Sequence, residues 1–263
     1  HLSIGGNLHK TVTIAAPVRN REWILPEYLK AIEKIEYPKH LIELKFVLND
    51  STDNTATILE NFRLKMRGKY RKISIEIYNR DVPEDRRELN VRNNYIYDHL
   101  SKLKNFIITR TKTDYLLFID TDILVPPDII NNLLNHQVDI VSALIWNGYL
   151  TNPDKPYLYP NVMKMDNGSY HHIVNHAIKN APTGNQSSLL SVDLTGAVVL
   201  ISRAAYRAIR YGFHPQGEDA HLCKMAQEKG FELFCDVGLF CHHIMNEKLL
   251  GEFLNEKENN CLC

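Results

Sequence analysis

The chain has 263 residues, of which 44% are hydrophobic, so it is long enough to bury the core of one large α/β domain. Its 31 basic and 31 acidic residues balance, and the overall charge gives no indication of a nucleic acid or an anionic membrane as partner. No apolar run approaches the ~18 residues that a membrane-spanning helix needs, so no membrane span is predicted.

Short apolar runs alternate with helical patterns along the first 146 residues. This alternation predicts an α/β fold with a mostly parallel central sheet covered by helices on both faces. The predicted strands are 11–17, 44–48, 73–78, 115–119 and 140–145, and the predicted helices are 25–35, 55–64, 90–103 and 129–134.

The second part of the chain is less regular at first. From residue 147 to residue 191, Gly, Asn, Pro, Tyr and His dominate, which predicts irregular loops or a small antiparallel insertion above the sheet. Order returns from Val192 to Ile201, followed by helices at 203–210 and after Gly217, and by a short strand at 231–235. The polar tail after Leu250 is expected to fray.

Asp120 and Asp122 follow the apolar run from Tyr115 to Ile119. Such a run predicts a strand buried on both faces of a parallel sheet, and ligands of open α/β sheets bind outside the carboxyl ends of the strands. In an extended backbone residues i and i+2 face the same way, so these two carboxylates could converge on one hard cation. A cation that keeps water and phosphate oxygens as its other ligands is how proteins usually hold a nucleotide diphosphate.

Three further polar groups stand where strands or helices are predicted to begin or end: 49–53, Glu218 with Asp219, and His242 with His243. Each has a structural alternative. The aspartates could cap helices or lie in turns, and the histidine pair could be ordinary surface or core residues.

The order of these motifs along the chain resembles that in nucleotide-sugar-dependent glycosyltransferases of the GT-A fold, above all the inverting family 2. The segment from Tyr37 to Leu44 also resembles the fungal Golgi mannosyltransferases of the Anp1 type. The resemblance runs from residue 12 to residue 243 and implies a single GT-A domain over 1–263, with a nucleotide-sugar-binding half at 11–146 and an acceptor-binding and catalytic half at 147–250. The phrases that carry it are 16–20, 49–55, Arg92-Asn93, Asp120-Thr121-Asp122, Thr195-Gly196-Ala197 and Gly217-Glu218-Asp219.

The resemblance assigns a set of residues to the donor. The first loop would line the nucleoside pocket, Asp50 would accept a hydrogen bond from the base, and Thr195 and Gly196 would form the floor near the sugar. The donor-binding set that it implies is Pro17, Arg19, Asn20, Asp50, Asp53, Arg92, Asp120, Thr121, Thr195 and Gly196.

It also implies a metal site of Asp120, Asp122 and a late histidine. His243 fits the family phrase best, although His242 leaves the choice open. The ion would be Mn²⁺ or Mg²⁺, and an imidazole beside carboxylates suits Mn²⁺ better than a pure Mg²⁺ site.

In the implied reaction, Asp219 is the base that deprotonates the acceptor, and Glu218 positions the donor sugar or supports the loop. The enzyme would be a metal-dependent inverting hexosyltransferase that uses a UDP-sugar, with GDP-mannose as the alternative donor. Its acceptor would be a glycan, a peptide or a small molecule. The candidates for acceptor stacking are Trp146, Asn147, Tyr149, Tyr157 and Tyr159.

Two other classes are open to test. A nucleotidyltransferase needs similar carboxylates, but its first loop is normally rich in glycine, and residues 17–21 contain none. A non-catalytic binding domain is the third hypothesis. Five cysteines without paired CxxC motifs favour reduced thiols and a cytoplasmic location, with a secretory lumen as the alternative if an anchor was removed.

Overall fold

The computed structural model describes residues 9–85, 94–149, 157–173, 178 and 189–261. An eight-stranded sheet forms its centre and takes strands from both halves of the chain. The strands of this sheet are β1 (Val12–Val18), β2 (Ile42–Leu48), β3 (Lys72–Ile77), β4 (Tyr115–Ile119), β6 (Ile140–Leu144), β11 (Leu189–Val192), β12 (Val198–Ser202) and β13 (Leu233–Phe240).

The strand order is β11-β13-β6-β12-β4-β1-β2-β3. β3, β2, β1 and β4 are mutually parallel, and β6 is parallel to β13. β12 runs antiparallel between β4 and β6, and β11 is antiparallel at the edge. The sheet is therefore mostly parallel, as the sequence predicts, but one reversed strand joins its two parallel groups.

Helices cover both faces of the sheet because alternate strand residues are apolar on both sides. Leu117 and Ile119 of β4 pack into one core, whereas Leu116 and Phe118 pack into the other. The first core holds α1 (Leu25–Glu33), α2 (Thr55–Lys65), α4 (Ile129–Asn135) and α7 (Glu247–Cys261), and the second holds α3 (Asn94–Thr109), α5 (Arg203–Ala208) and α6 (Glu218–Glu228). None of the helices in the described ranges is long and apolar enough to cross a bilayer.

The described parts of the irregular region contain two antiparallel hairpins, in agreement with the second of the two predictions for it. One pairs β7 (Trp146–Tyr149) with β8 (Tyr157–Pro160), and the other pairs β9 (Met163–Asp166) with β10 (Ser169–His172). A further small pair joins β5 (Ile123–Leu124) to β14 (His242–His243), which brings the late histidines beside the end of β4.

The prediction that the tail frays is wrong, since α7 continues to Cys261. Its apolar residues recur at helical spacing and pack against the first core, and this burial outweighs the polar composition of the segment. The residues that make this contact are Leu249, Leu250, Phe253 and Leu254.

Candidate functional site

The candidate site lies at the sheet edge where β1, β2 and β4 end. Because these strands are parallel, their carboxyl ends meet at one edge. The antiparallel β12 begins at the same edge, so the segment before it lies next to the end of β4. The backbone N–H of Asp120 donates to the carbonyl of Ala197 at 3.1 Å.

One cavity at this edge, of about 150 Å³, brings together Pro17, Arg19 and Thr121 from the predicted donor set. Sequence reasoning missed Arg21, which lines the same cavity. The Nε atoms of Arg19 and Arg21 are buried and have no hydrogen-bond partner among the described residues. Buried donors without partners are rare, and the two arginines that carry them line a cavity that could hold an anionic ligand.

Asn20, Asp50 and Asp53 tie the first two loops together. The carboxylate of Asp50 accepts hydrogen bonds from the backbone N–H groups of Arg80 and Asp81. Burial tends to raise the pKa of Asp50, but these bonds outweigh it and hold the pKa below its ordinary value. Asn20 Oδ1 accepts from the backbone N–H of Thr52 at 2.8 Å. In this structure, these oxygens are therefore satisfied by the protein.

Asp53 has the structural role that was its alternative. One oxygen accepts from the backbone N–H of Thr55, the first residue of α2, at 2.9 Å, and the other accepts from the N–H of Glu22 at 3.2 Å. The carboxylate thus satisfies one donor of the helix start and holds the first loop against it.

His99 supports the cavity from α3 and was also missed. Its Nδ1 lies 3.1 Å from Arg80 Nη1 and its Nε2 lies 3.0 Å from Asn49 Oδ1. Because a guanidinium only donates, Nδ1 accepts and Nε2 carries the proton that is donated to Asn49. Burial, and then the charge of Arg80, lower the pKa of His99, so the ring is neutral near pH 7.

Of the predicted metal ligands, Asp122 and His243 lie together. His243 Nε2 is 3.1 Å from Asp122 Oδ2, and its Nδ1 is 3.1 Å from the carbonyl of Trp146, which orients the ring. Burial tends to lower the pKa of His243, but Asp122 outweighs it and the pKa is raised. His242 instead packs its ring between Phe240 and Phe253, each centroid 4.9 Å away, so the geometry favours His243.

Asp120 does not join this pair as predicted. Within the described residues, no group of three or more His, Cys, Asp or Glu side chains is arranged to hold one metal ion. The expectation assumed an extended backbone, whereas the chain turns directly after Asp120, and the N–H of Ile123 donates to the Asp120 carbonyl. Burial raises the pKa of Asp120 to about 6, opposed by Lys104 and reinforced by Asp122 and Asp219.

Asp219 and Glu218 begin α6, and a buried lysine of α3 joins them. Lys104 Nζ lies 3.1 Å from Glu218 Oε1 and 3.4 Å from Asp219 Oδ1. Glu218 is 5% exposed and is held by Lys104 inside the fold, and its role in positioning the donor sugar or supporting the loop stays a prediction. Burial tends to lower the pKa of Lys104, but Asp219 and Glu218 outweigh it and hold the pKa well above its ordinary value.

The side chain of Asp219 is 29% exposed and lines a second cavity, of about 100 Å³, together with Gly196 and Ala197. Gly196 allows this approach, since a Cβ on it would lie 2.1 Å from Asp219 Oδ2. Thr195, which is predicted near the sugar, is buried, and its hydroxyl lies 2.6 Å from Ser142 Oγ inside the fold.

Two of the residues predicted to stack on the acceptor, Asn147 and Tyr159, line the same cavity. His172 also lines it, and its ring centroid lies 4.4 Å from that of Tyr159. Trp146 packs instead against the second core. Arg92, predicted to hold base or phosphate, and the side chains of Tyr149 and Tyr157 lie outside the residues that the structure describes.

A signal for the missed residues of α3 is present in the sequence. Lys104 stands three and four positions before Ile107 and Ile108, and His99 stands three after Ile96 and four before Leu103. Helical spacing therefore places both on the buried face of α3, where a charged or titratable side chain needs a partner.

Two curated relatives illustrate what the chain is similar to. Procollagen galactosyltransferase 1-A of Xenopus laevis is 28% identical over 142 residues, which cover 51% of this chain and 23% of that protein. Mannan polymerase complex subunit MNN9 of Candida albicans is 24% identical over 272 residues, which cover 87% of this chain and 73% of that protein. The chain thus spans about a quarter of the length of the procollagen galactosyltransferases that it matches.

Solved structures show the same fold. The mannosyltransferase PcManGT of Pyrobaculum calidifontis, in complex with GDP-Man and Mn²⁺, has a TM-score of 0.59 at 15% identity, over 90% of this chain and 58% of its own. GalNAc-T7 with UDP, GalNAc and Mn²⁺ has a TM-score of 0.59 at 13% identity, over 90% and 43%. The α/β architecture and these neighbours confirm the predicted GT-A fold.

The family follows from the sequence itself. The Anp1 profile matches residues 5–172, which is more than half of the chain. The resemblance to Anp1-type proteins is confirmed, and this protein belongs to the Anp1 family.

Proposed function

We propose that the protein is a metal-dependent, inverting glycosyltransferase that moves a hexose from a nucleoside diphosphate sugar to an acceptor hydroxyl. The observation that carries the proposal is the placement of Asp219. Its carboxylate lines a cavity at the carboxyl edge of the sheet, while a second cavity at the same edge is lined by Arg19 and Arg21. A base and an anion site at one sheet edge are what this reaction needs.

In the proposed reaction, Asp219 takes the proton from the acceptor hydroxyl as its oxygen attacks the anomeric carbon. The bond from that carbon to the diphosphate breaks, and the electron pair leaves with the nucleoside diphosphate. Arg19 and Arg21 would meet the negative charge of the donor, which develops further as the bond breaks.

Asp122 and His243 would hold the divalent ion, since a carboxylate and an imidazole oriented by the Trp146 carbonyl suit Mn²⁺. A divalent ion held by these two side chains would supply positive charge that offsets the negative charge of the leaving diphosphate. Asp120 interacts electrostatically with Asp122 and His243. After a change of its side-chain position, it would contact the ribose or the ion.

The proposed donor is a nucleoside diphosphate hexose, and the relatives suggest two possible sugars and bases for it. The likeness to MNN9, a mannan polymerase complex subunit, covers most of both chains and favours GDP-mannose. The likeness to procollagen galactosyltransferases covers half of this chain and favours a galactosyl donor, in line with the UDP-sugar expected from the sequence.

The acceptor would enter the cavity beside Asp219. Tyr159 and His172 present adjoining rings there, and Asn147 adds an amide, a combination that suits the face and hydroxyl groups of a sugar. Asp219 is the one acidic side chain among the described lining residues, and no lysine or arginine is among them. We therefore propose a neutral glycan as acceptor ahead of a peptide or an anionic small molecule.

A thermal-shift screen of UDP, GDP and ADP, each with and without Mn²⁺, tests donor binding directly. A ligand that binds only the folded state at about 100 times its Kd stabilises it by about 2.7 kcal/mol, so the preferred base would raise Tm most. Asp122→Ala and His243→Ala should lose the Mn²⁺-dependent part of the shift, whereas His242→Gln should keep it. A Tm that no nucleotide changes would contradict the proposed donor site.

Transfer itself is measured as release of the nucleoside diphosphate from GDP-mannose and from UDP-galactose. Asp219→Asn should bind the nucleotide as the wild type does but lose transfer, because the amide cannot take the proton. Glu228→Gln, an exposed acid at the other end of α6, is the matched control. Full transfer by Asp219→Asn, or release of pyrophosphate in place of the diphosphate, would refute the assignment.

A further inference from the structure

Lys104 is an unusual residue because its charged end is buried between two helices. The residue is 6% exposed, its Nζ contacts Glu218 and Asp219 of α6, and it lies 4.7 Å above the ring of Tyr211. A buried lysine is retained only when nearby groups compensate its charge. Here Glu218, at 3.1 Å and equally buried, would suffice as its partner. The second contact, to the more exposed Asp219, therefore needs its own explanation.

The two oxygens of Asp219 have different surroundings. Oδ1 is the atom that lies 3.4 Å from Lys104 Nζ. Oδ2 is the Asp219 oxygen nearer to Gly196. A Cβ built on Gly196 would lie 2.1 Å from Oδ2 and 3.0 Å from Oδ1. Gly196 and Asp219 both line the cavity. The lysine thus contacts one oxygen, whereas the other is the oxygen nearer to Gly196.

We propose that Lys104 is a positioning residue for Asp219, holding Oδ1 so that Oδ2 is presented to the acceptor hydroxyl. The proposal rests on the proposed function, in which Asp219 is the base. Tyr211 and Glu218 also contact the ammonium group of Lys104 and hold it in place. Because α3 supplies Lys104 and α6 supplies Asp219, the helix contact itself would set the orientation of the base.

A double variant separates this role from charge balance. Lys104→Met together with Glu218→Gln removes both members of the buried pair, so no unpaired charge of that pair is left in the core. Compared with Glu218→Gln alone, the double variant should lose about 50-fold or more in kcat, since a misplacement of about 1 Å can cost ~10²-fold. The donor KM and the nucleotide-induced Tm shift should change less than about twofold, a split that a general loss of structure would not produce.

Two further variants complete the test. The single variant Lys104→Arg keeps the positive charge, so it should retain most of the wild-type kcat. Lys102→Met is the matched control, because Lys102 lies on the same helix, 48% exposed, and pairs with Asp98 on the surface at 2.9 Å. Its kinetics should equal those of the wild type. A double variant with the kcat of Glu218→Gln would overturn the proposal, since Lys104 would then serve only to balance Glu218.

Crystal structures of the wild type and the double variant give a reading that does not depend on activity. The proposal expects Asp219 Oδ2 to move by about 1 Å or more when Lys104 is removed, through a change of rotamer. An unmoved carboxylate would overturn it. If the wild type transfers no sugar while the carboxylate still moves, the proposed function fails and the positioning role stands, so the two failures are distinguishable.

Discussion

Gly196→Ala adds one methyl group, which should lower kcat strongly and leave the fold intact. The new Cβ would lie 2.1 Å from Asp219 Oδ2 and 2.5 Å from its Cγ. Ordinary contact begins near 3.4 Å, so the carboxylate and the methyl group must separate by 3.4 − 2.1, or about 1.3 Å. Gly196 does not have a positive φ, so its backbone accepts alanine without strain.

The size of the effect follows from this displacement. Asp219 is partly exposed at the start of α6, so its side chain can rotate away from the new methyl group at a cost of about 1 kcal/mol. The fold should therefore lose little stability. A base displaced by about 1 Å is expected to lose roughly 10²-fold in rate, equivalent to about 2.7 kcal/mol in the activation free energy.

The assay measures kcat and both KM values for sugar transfer, together with the nucleotide-induced Tm shift. We expect the fall in kcat with the donor KM and the Tm shift preserved, because Gly196 is not among the described residues that line the cavity proposed for the nucleotide. Gly251→Ala in α7, where nothing lies within 4 Å of the new Cβ, is the control and should keep wild-type kinetics. A kcat within threefold of the wild type would refute the proposed place of Asp219 in the reaction.

Two residues around the cavities give further predictions. The fold lowers the pKa of His99, so on acidification the unfolded chain binds a proton at this residue before the folded chain does. Stability is then full above about pH 6.5 and falls as the pH drops below it, and urea unfolding at pH 7.5 and 5.5 should show a smaller loss for His99→Gln than for the wild type. His172→Ala should raise the acceptor KM about tenfold with the donor KM unchanged, since it removes half of the aromatic pair in the acceptor cavity. Its exposed neighbour His171, changed to alanine, should leave both constants unaltered.

The amino-acid sequence is informative where a local rule governs the structure. It predicts Val12–Val18, Ile42–Leu48 and Tyr115–Ile119 within a few residues, because a strand buried on both faces must be an apolar run. The carboxyl ends of parallel strands necessarily meet, so the positions of Pro17, Arg19 and Thr121 after their strands are enough to group them.

The amino-acid sequence is less informative where side-chain direction or a distant partner decides the outcome. Thr195 stands in the expected motif, but its hydroxyl lies beside Ser142 inside the fold, a partner 53 positions away in the chain. Lys104 and Asp219 are 115 positions apart, and their contact depends on how α3 packs against α6. Asp120 and Asp122 are expected in extended backbone, but the chain turns at Thr121 and Asp122. None of these follows from periodicity alone.

The reversed strand β12 joins the first four parallel strands to the rest of the central sheet. The Anp1 match ends at residue 172, whereas Gly196, Asp219 and His243 come later in the chain. β12 pairs with β4 on one side and β6 on the other, and β6 has its other neighbour in β13.

A fragment of residues 1–172 would therefore leave β6 without either sheet neighbour and expose the edge of β4. Unpaired apolar edges of this kind are prone to aggregation, so we expect the fragment to lack a cooperative urea transition and any nucleotide-induced Tm shift. Circular dichroism during urea unfolding, beside the full chain under the same conditions, measures this. A cooperative fragment that binds the nucleotide would show that the donor site forms without β12, and that the later half adds only the base and the histidine.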